Sequence, residues 1–355
     1  MLIQNAKAFI DGKFQEKTDL LIRDGRISAI GTGLAAEGEE LLDLGGDLLL
    51  PGFVDVHIHA FKGMDTMQGE EAVRHMSREL KKVGVAAFLP TTMSASPEDT
   101  VRALAGVKAV MERPEPDGAI VLGAHMEAPF LADAKAGAQL KQYFVDPDEE
   151  NWQRYTGGLE SVVRLITMAP ERAGAMEFIS ALTKKGITVS IGHTTADAET
   201  THAAAEAGAT HVTHTFNAQT PLNHRAPGVP GAALVDDRLQ CEVISDGIHL
   251  HPDIVKLIIR TKGKEKLVAI TDAMEAAGMP DGQYQLGGQE VFVHEGAARL
   301  KDGTLAGSTL TMIRAFQNLI RFGATPEDHQ DPGPVHRQRR TGRDRAGRAC
   351  DLQPL

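Results

Sequence analysis

The stretch PGFVDVHIH, residues 51–59, has the pattern of a short apolar strand that ends in two histidines, His57 and His59. Four further polar residues follow short apolar runs later in the chain: Glu127 in HMEAP, His193 in SIGHT, His214 in THTFNA and Asp272 in AITDAM. Parallel barrels build their sites from side chains at the carboxyl ends of their strands. The six residues therefore predict a barrel that gathers them into one site.

From Phe53 onward, apolar strands alternate with amphipathic helices, which is typical of a parallel α/β fold. Eight strands are predicted, at residues 53–57, 86–91, 120–126, 163–168, 188–191, 211–214, 241–245 and 267–271. Helices are expected between most of them; one begins at Ser96, an N-cap residue, followed by Pro97 in the first turn. Residues 51–326 have the length of a TIM-like (β/α)8 barrel.

Both ends of the chain depart from this alternation. Residues 1–50 contain short strand-like pieces separated by Asp-Gly and Gly-Gly turns, which predicts a small β-sandwich domain. From His329 onward there are six arginines, no lysine and almost no apolar periodicity, so this part cannot bury a core. We predict that residues 327–355 are an atypical basic tail, either disordered or altered by a shifted reading frame.

Two segments are longer than the connections of a minimal barrel. Residues 128–160 are long for a loop, and residues 280–306 contain hairpin-like pieces before the final helix. Insertions at the catalytic face of a barrel often cover the site. Both segments are therefore candidate lids.

Composition excludes several classes of partner. The net charge of −11 argues against nucleic acid and anionic membranes, which require a basic surface. No run approaches the ~18 apolar residues of a membrane span. The start of the chain lacks the features of a signal peptide, and Cys241 and Cys350 cannot form a disulfide framework. We expect a cytoplasmic protein whose anionic ligands, if any, bind in a local cationic pocket.

The spacing of the histidines indicates metal chemistry. His57 and His59 lie two apart on a strand, so both imidazoles face one side and can bind one ion. Glu127 could bridge to a second ion held by His193 and His214. Imidazole and carboxylate ligands suit Zn²⁺, with Fe²⁺, Mn²⁺ or Co²⁺ also open. The expected cofactor is therefore a divalent metal, as two ions, with zinc the first choice.

A pair of ions can activate water at neutral pH and polarise an amide carbonyl. Asp272 is then the candidate to take the proton from water and deliver it to the leaving amine. The alternative is that Asp272 caps a helix or serves as a structural ligand. His125, two residues before Glu127, could either line the site or be a hydrogen-bonded strand histidine.

Seven segments match a known family in order from about residue 50 to 312: LPGFVDVHIH, AHMEAPF, IGHTTAD, THTFNAQTPLNHRAPGVPGAAL, ISDGIHLHP, ITDAMEAAGMPDGQYQLGG and LAGSTLTM. With them the chain resembles the N-acetylglucosamine-6-phosphate deacetylases of the amidohydrolase superfamily. The resemblance implies metal-dependent hydrolysis of N-acetylglucosamine 6-phosphate to glucosamine 6-phosphate and acetate by a homodimer. The chain departs from the family pattern at Ala128, which replaces the usual glycine after Glu127, and at its carboxyl terminus.

The resemblance also implies roles for individual residues. Glu127, His193 and His214 match the core metal ligands, His57 and His59 match the optional second-metal pair, and Asp272 matches the catalytic carboxylate. The residues that match the sugar-phosphate contacts are Asn217, Ala218, Arg225 and His249. Gln139 stands where the family often has a histidine that polarises the acetyl carbonyl.

Two other functions remain open. The same barrel and metals could act on another N-acetyl amino sugar or on a cyclic amide. Alternatively, the altered carboxyl terminus could leave a barrel that has lost catalysis and serves as a binding or assembly protein.

Overall fold

The chain, seen in a computed structural model, is described at residues 1–35, 37–325 and 352–354. Its amino-terminal strands are β1 (Leu2–Ile10), β2 (Lys13–Arg23), β3 (Arg26–Gly31), β4 (Leu41–Asp43) and β5 (Leu48–Pro51). Strand β1 is central: it pairs antiparallel with β2 and parallel with β4 and β5. A small core, with Ile3, Leu20 and Leu49 among its members, packs on this sheet. The small β domain is present, and its described strands form one sheet, so the sandwich arrangement stays a prediction.

Asp-Gly pairs make the hairpin turns of this domain, as the sequence predicts. Asp11 and Gly12 join β1 to β2 with φ of 51° and 79°, and Asp24 and Gly25 join β2 to β3 with φ of 51° and 67°. Two successive residues with positive φ match the twist of antiparallel strands. The local sequence is therefore sufficient to specify both turns.

The barrel region contains a longer series of strands. They are β6 (Phe53–Ile58), β7 (Ala60–Phe61), β8 (Met64–Asp65), β9 (Val85–Thr92), β10 (Ile120–Val121), β11 (Ala124–Met126), β12 (Val163–Met168), β13 (Thr188–Ile191), β14 (His211–Val212), β15 (Gln240–Ile244) and β16 (Leu267–Ile270). The short β7 and β8 form a separate two-stranded sheet. The others form a parallel sheet in which neighbours in sequence are neighbours in space.

The eight predicted barrel strands are confirmed, with two differences. The third strand is split into β10 and β11, both of which pair with β9, around Gly123 at φ 153°. The sixth ends at Val212 rather than His214, because His214 has a positive φ of 29°. The last strand returns to the first through the Asp272 N–H, which donates to the His57 carbonyl at 2.8 Å. The result is a nearly closed eight-stranded barrel.

Eight α-helices lie in the described part of the chain: α1 (Glu70–Lys81), α2 (Pro97–Glu112), α3 (Glu149–Thr156), α4 (Ala175–Lys184), α5 (Ala198–Ala207), α6 (Gly228–Val235), α7 (Pro252–Lys266) and α8 (Met312–Arg321). Ser96 caps α2 as expected, its hydroxyl accepting from the Asp99 N–H at 3.1 Å. Helix α3 lies within residues 128–160, which the sequence presents as a long loop, and α6 lies between the sixth and seventh barrel strands. The glycine and proline residues of α6 lower its helix propensity, so its sequence does not indicate a helix. The helix is buried except at Val235, and packing rather than propensity stabilises it. In the described residues no helix is both long enough and apolar enough to span a membrane.

A three-stranded antiparallel sheet follows the barrel strands: β17 (Gly282–Leu286), β18 (Gln289–His294) and β19 (Ala297–Arg299). Gly287 and Gly288, at φ 55° and 79°, form its first turn. This sheet confirms the predicted hairpins at 280–306. It packs on Met93 and Met274, next to the carboxyl ends of the barrel strands.

The carboxyl-terminal part of the chain is described only at β20 (Leu352–Pro354), which pairs antiparallel with β5. Residues 326–351 and 355 lie outside the described residues. The prediction of a disordered or frame-altered tail at 327–355 falls mostly there and stays a prediction. Strand β20, near the end of this segment, nevertheless joins the sheet of the small β domain.

Candidate metal centre

The six residues predicted from the strand ends meet at one end of the barrel. His57 and His59 lie at the end of β6, and Glu127 directly follows β11. His193, His214 and Asp272 each stand two residues beyond a strand, β13, β14 and β16 respectively. All six are at most 8% exposed. The structure therefore brings together the whole predicted set.

Three of these residues have an unusual backbone conformation. His193, His214 and Asp272 have φ of 47°, 29° and 51°. Residues other than glycine adopt positive φ rarely, and the strain persists where surrounding contacts hold it. The His193 carbonyl accepts from the Ala132 N–H at 2.9 Å and the His214 carbonyl from the Asn217 N–H at 2.9 Å. These loops thus fix the residues from which the site is built.

The Glu127 carboxylate lies between two groups of histidines. Its Oε1 is 3.1 Å from His193 Nε2 and 3.0 Å from His214 Nε2. Its Oε2 is 3.0 Å from His59 Nε2, and His57 Nε2 is 3.5 Å from Oε1. Each group offers ligand atoms that lie within 4.8 Å of one another. Glu127 is therefore placed to bridge two cations.

The chemistry of these donors fits a divalent metal. The Nε2 atoms of His193 and His214 are 3.1 Å apart, and those of His57 and His59 are 3.3 Å apart. At the other ring nitrogen, His193 Nδ1 is 2.7 Å from the Lys135 carbonyl and His59 Nδ1 is 3.3 Å from the Thr91 carbonyl. A proton on Nδ1 that is donated to a carbonyl leaves the Nε2 lone pair free for a cation.

The ionisable groups of this cluster shift one another's pKa. Burial lowers the pKa of His59, but Asp272 and Glu127 raise it more, to a net value of about 9. Burial raises the pKa of Glu127, yet His57 and the other histidines hold it well below the usual value. Without a cation, the carboxylates favour the protonated forms of His57 and His59. A metal ion would take the place of those protons.

Asp272 lies at the edge of the cluster. Its Oδ1 is 3.2 Å from His59 Nε2 and 3.6 Å from His57 Nε2. Burial raises its pKa, but the neighbouring His57 and His59 lower it below the usual value. Asp272 caps none of the described helices. Its carboxylate therefore lies in direct contact with the His57 and His59 pair.

A layer of buried polar side chains lies beneath the cluster. His125 Nε2 is 2.8 Å from Thr167 Oγ1, which is 2.8 Å from Thr213 Oγ1. The His125 ring stands perpendicular to that of His57, with centroids 4.5 Å apart. Burial and the nearby His57 hold the pKa of His125 well below its usual value. His125 is thus a neutral, hydrogen-bonded strand histidine, the second of its two sequence-based alternatives.

Two buried carboxylates next to His57 were missed by sequence reasoning. Asp55 accepts from the Thr271 hydroxyl at 2.5 Å and from the His57 N–H at 3.3 Å, and burial raises its pKa to about 6. Glu242 Oε2 is 3.5 Å from His57 Nδ1. The only local signal for either was a charged residue within an apolar strand.

The residues matched to substrate contacts are placed differently from one another. Gln139 is buried, donates from Nε2 to Glu127 Oε2 at 2.6 Å and accepts from the Ser94 N–H at 2.7 Å. Asn217 Nδ2 donates to the His214 carbonyl at 3.2 Å, and the Ala218 carbonyl accepts from the Thr194 N–H at 3.1 Å. These three residues border the ligand loops.

His249 and Arg225 differ from each other in their surroundings. His249 Nδ1 is 2.6 Å from Asp246 Oδ2; burial lowers the pKa of this histidine, but Asp246 and then Asp272 raise it above its usual value. Arg225 lies in the exposed segment 221–227. Its side chain makes no hydrogen bond or ion pair with the described residues, so the structure does not bring it to the cluster.

Comparison with known proteins places this geometry in a family. A model of the amidohydrolase family matches residues 48–322. The N-acetylglucosamine-6-phosphate deacetylase of Lysinibacillus sphaericus is 39% identical, over 90% of this chain and 82% of its own length. The N-acetylgalactosamine-6-phosphate deacetylase of Escherichia coli O157:H7 is 36% identical, over 92% and 85%.

Solved structures are similar to this chain over most of its length. N-acetyl-D-glucosamine-6-phosphate deacetylase from Mycobacterium smegmatis, as a mutant in complex with N-acetyl-D-glucosamine-6-phosphate, superposes with a TM-score of 0.83 at 34% identity, over 92% of this chain and 85% of that one. The Thermotoga maritima enzyme of the same name gives 0.81 at 33% identity, over 92% and 86%. With its barrel, its histidine and carboxylate cluster and these relatives, the chain belongs to the amidohydrolase family.

Proposed function

We propose that this protein hydrolyses the N-acetyl group of N-acetyl-D-glucosamine 6-phosphate, giving D-glucosamine 6-phosphate and acetate. The observation that carries the proposal is the convergence of four histidines on Glu127, with Asp272 beside them. This cluster occurs in a chain 39% identical to such a deacetylase over 90% of its length. Amino-sugar breakdown in the cytoplasm is the setting that we propose.

The cofactor in this proposal is a pair of divalent cations, zinc before iron, manganese or cobalt. His193 and His214 would hold one ion, His57 and His59 the other, and Glu127 would bridge them. When bound, such ions polarise the amide carbonyl and make water a stronger nucleophile at neutral pH. The Nε2 atoms turned toward Glu127 support this arrangement.

Asp272 is the proposed proton carrier. Its carboxylate accepts a proton from the water whose oxygen attacks the acetyl carbon. It then delivers that proton to the sugar nitrogen as the carbon–nitrogen bond breaks, so that acetate and the amine leave. The position of its Oδ1, 3.2 Å from His59 Nε2, supports this role because it places the carboxylate beside the proposed ions.

Asn217, Ala218, Arg225 and His249 are the proposed contacts of the sugar phosphate. The raised pKa of His249, through its bond to Asp246, favours a positive charge on this ring, and arginine is charged at every relevant pH. Together they would supply the cationic pocket that an anionic ligand requires in a chain of net charge −11. Gln139, bonded to Glu127, is proposed for the acetyl side of the site. A homodimer without nucleic-acid or membrane partners completes the proposal.

N-acetyl-D-galactosamine 6-phosphate is the second candidate substrate. It is favoured by the 36% identity to the Escherichia coli O157:H7 enzyme named for that sugar. The two sugars differ only in the configuration at C4, so the metal centre would treat their acetamide groups alike. The choice between them therefore belongs to the residues around the sugar ring.

The test is acetate release by metal-loaded protein from both phosphorylated sugars and from unphosphorylated N-acetylglucosamine. We expect turnover of a phosphorylated sugar, its loss after chelation, and its return with added Zn²⁺. Arg225→Ala should raise KM for the phosphorylated sugar by roughly 10- to 100-fold, the value of a charge-assisted contact. Arg260→Ala, exposed on α7, is the matched control and should behave as wild type.

Preference for the galactosamine sugar would select the second candidate. Turnover of an unphosphorylated sugar that is indifferent to Arg225→Ala would overturn the phosphate pocket. Folded, metal-loaded protein without any turnover would point to a cyclic amide as substrate or to a barrel without catalysis.

A further inference from the structure

Glu242 is a buried carboxylate that the proposed reaction does not use. It lies in the middle of β15, between Cys241 and Val243, and all three residues have no exposed surface. Neither oxygen of its carboxylate has a hydrogen-bond partner within the part of the chain that the structure describes. Glutamate is seldom buried unless it is paired, so an isolated one in a barrel interior requires an explanation.

The His57 ring faces this carboxylate. Glu242 Oε2, on β15, lies 3.5 Å from Nδ1 of His57, on β6, and β16 stands between these two strands in the barrel. His57 Nδ1 likewise has no hydrogen-bond partner among the described residues. The opposite ring nitrogen, Nε2, faces the metal cluster. It lies 3.3 Å from His59 Nε2 and 3.5 Å from Glu127 Oε1. The His57 ring therefore lies between the metal cluster and Glu242.

We propose that Glu242 is a positioning residue for the ion held by His57 and His59. Its carboxylate accepts the proton on His57 Nδ1, which leaves the Nε2 lone pair directed at that ion. A carboxylate acceptor also makes the imidazole a stronger ligand, and loss of such partners typically weakens metal binding 10- to 100-fold. The inference rests on the proposed two-ion centre.

The surroundings of the other ligands support this assignment. His59 and His193 each have a backbone carbonyl near Nδ1, from Thr91 and Lys135. His57 has a carboxylate in that position instead. His125, packed against the His57 ring, is bonded to Thr167 and does not compete for Nδ1. Glu242 should therefore affect the ion at His57 and His59, and leave the ion at His193 and His214 in place.

The test measures metal binding rather than turnover. Metal-free full-length protein is titrated with Zn²⁺ against a competing chelator, and bound zinc is counted by mass spectrometry after dialysis. The variants are Glu242→Gln, which keeps an acceptor but removes the charge, and Glu242→Met, which removes both at similar size. We expect two ions per wild-type chain. One of the two should weaken in Glu242→Gln, and weaken further, by 10- to 100-fold, in Glu242→Met.

Two further variants separate positioning from a general structural effect. In His57→Ala the additional Glu242→Met change should cause no further loss of affinity, because Glu242 acts through His57. Asp236→Asn removes a buried carboxylate that pairs with Arg238 and His202 instead, and should still bind two ions. If Glu242→Met fails to fold, as judged by circular dichroism, the nearly isosteric Glu242→Gln decides.

The outcomes are distinct for the two proposals. Two tightly bound ions in the wild type and in a folded Glu242 variant would overturn the role of Glu242 alone. A wild type that binds one ion would overturn both the two-ion centre and this inference, before any variant is made. A further loss from Glu242→Met in the His57→Ala background would show that Glu242 acts by another route.

Discussion

Asp272 illustrates how backbone hydrogen bonds fix the position of a single side chain. Its N–H donates to the His57 carbonyl and its carbonyl accepts from the Ser308 N–H, both at 2.8 Å. These bonds hold a left-handed backbone, with φ of 51°, at the point where the barrel closes. Its carboxylate is thereby kept 3.2 Å from His59 Nε2. Placement by backbone bonds means that the side chain can change without loss of the loop.

Asp272→Asn is therefore expected to lower kcat by roughly 10²- to 10⁴-fold, the usual contribution of a general acid or base. Asparagine has the same shape, so bound metal and thermal stability should be close to those of the wild type. Steady-state acetate release, with zinc counted in the same preparation, checks this. An unchanged kcat would show that another group carries the proton.

Cys241 offers a pH-dependent property apart from the metal ligands. Burial raises the pKa of its thiol to about 11, above the value of about 9 for an exposed thiol. The folded protein thus holds this proton to higher pH than the unfolded chain does. The contribution to stability is complete below about pH 9 and is lost as the pH rises through 11.

With Cys350→Ser as background, the remaining Cys241 thiol should be unreactive toward a disulfide reagent at pH 8 and react fully in denaturant. Absorbance of the released thiolate measures this directly. Rapid modification of the native protein would mean that β15 opens locally, since the side chain has no exposed surface.

The connection from β13 to His193 depends on close packing. A Cβ atom on Gly192 would lie 2.7 Å from Thr167 Cγ2 and 2.7 Å from Thr213 Cβ. Both threonines belong to the buried polar layer, where Thr213 also donates to Ser190 Oγ at 2.6 Å. Glycine here lets β13 approach its neighbours closely enough to place His193 in the cluster.

Gly192→Ala should destabilise the protein by about 1 to 3 kcal/mol, the usual cost of an overfilled core. It should also weaken the ion at His193 and His214, because the two threonines must move. Denaturant unfolding and zinc titration measure the two effects. Gly282→Ala, whose added methyl would meet only ordinary contact 3.5 Å from Tyr284, is the matched control. Equal effects of the two changes would contradict this packing argument.

Over the molecule as a whole, the proposed metal ligands link elements that are far apart in sequence. His57 and His59 belong to β6, Glu127 follows β11, and His193 and His214 follow β13 and β14. Cations bound to all five residues would join four strands at one end of the barrel. Folding stability should then depend on metal.

Removal of metal by a chelator should lower Tm, and added Zn²⁺ should restore it. A ligand at 100 times its Kd stabilises the folded state by about 2.7 kcal/mol, provided that the unfolded chain does not bind it. Differential scanning calorimetry at fixed pH measures the shift. The same Tm with and without metal would exclude tight binding to the folded state.

Local sequence was enough to predict much of the molecule. Eight barrel strands, the capped start of α2, the Asp-Gly turns and the six residues of the cluster follow from apolar runs, cap residues and strand-end positions. Each of these signals depends on residues close together in the chain. Because parallel strands present their carboxyl ends at one rim, strand order alone implied that the six residues would meet.

Only the tertiary structure decided the rest. Helix α6 forms from glycine, proline and alanine because its burial outweighs its poor propensity. Gln139 bonds Glu127, and His125 is neutral beneath His57, through contacts that no local pattern encodes. Glu242 lies 185 positions after His57 in the sequence, yet its carboxylate faces the His57 ring. Such contacts arise when the barrel closes, because closure brings side chains from non-adjacent strands together across its interior.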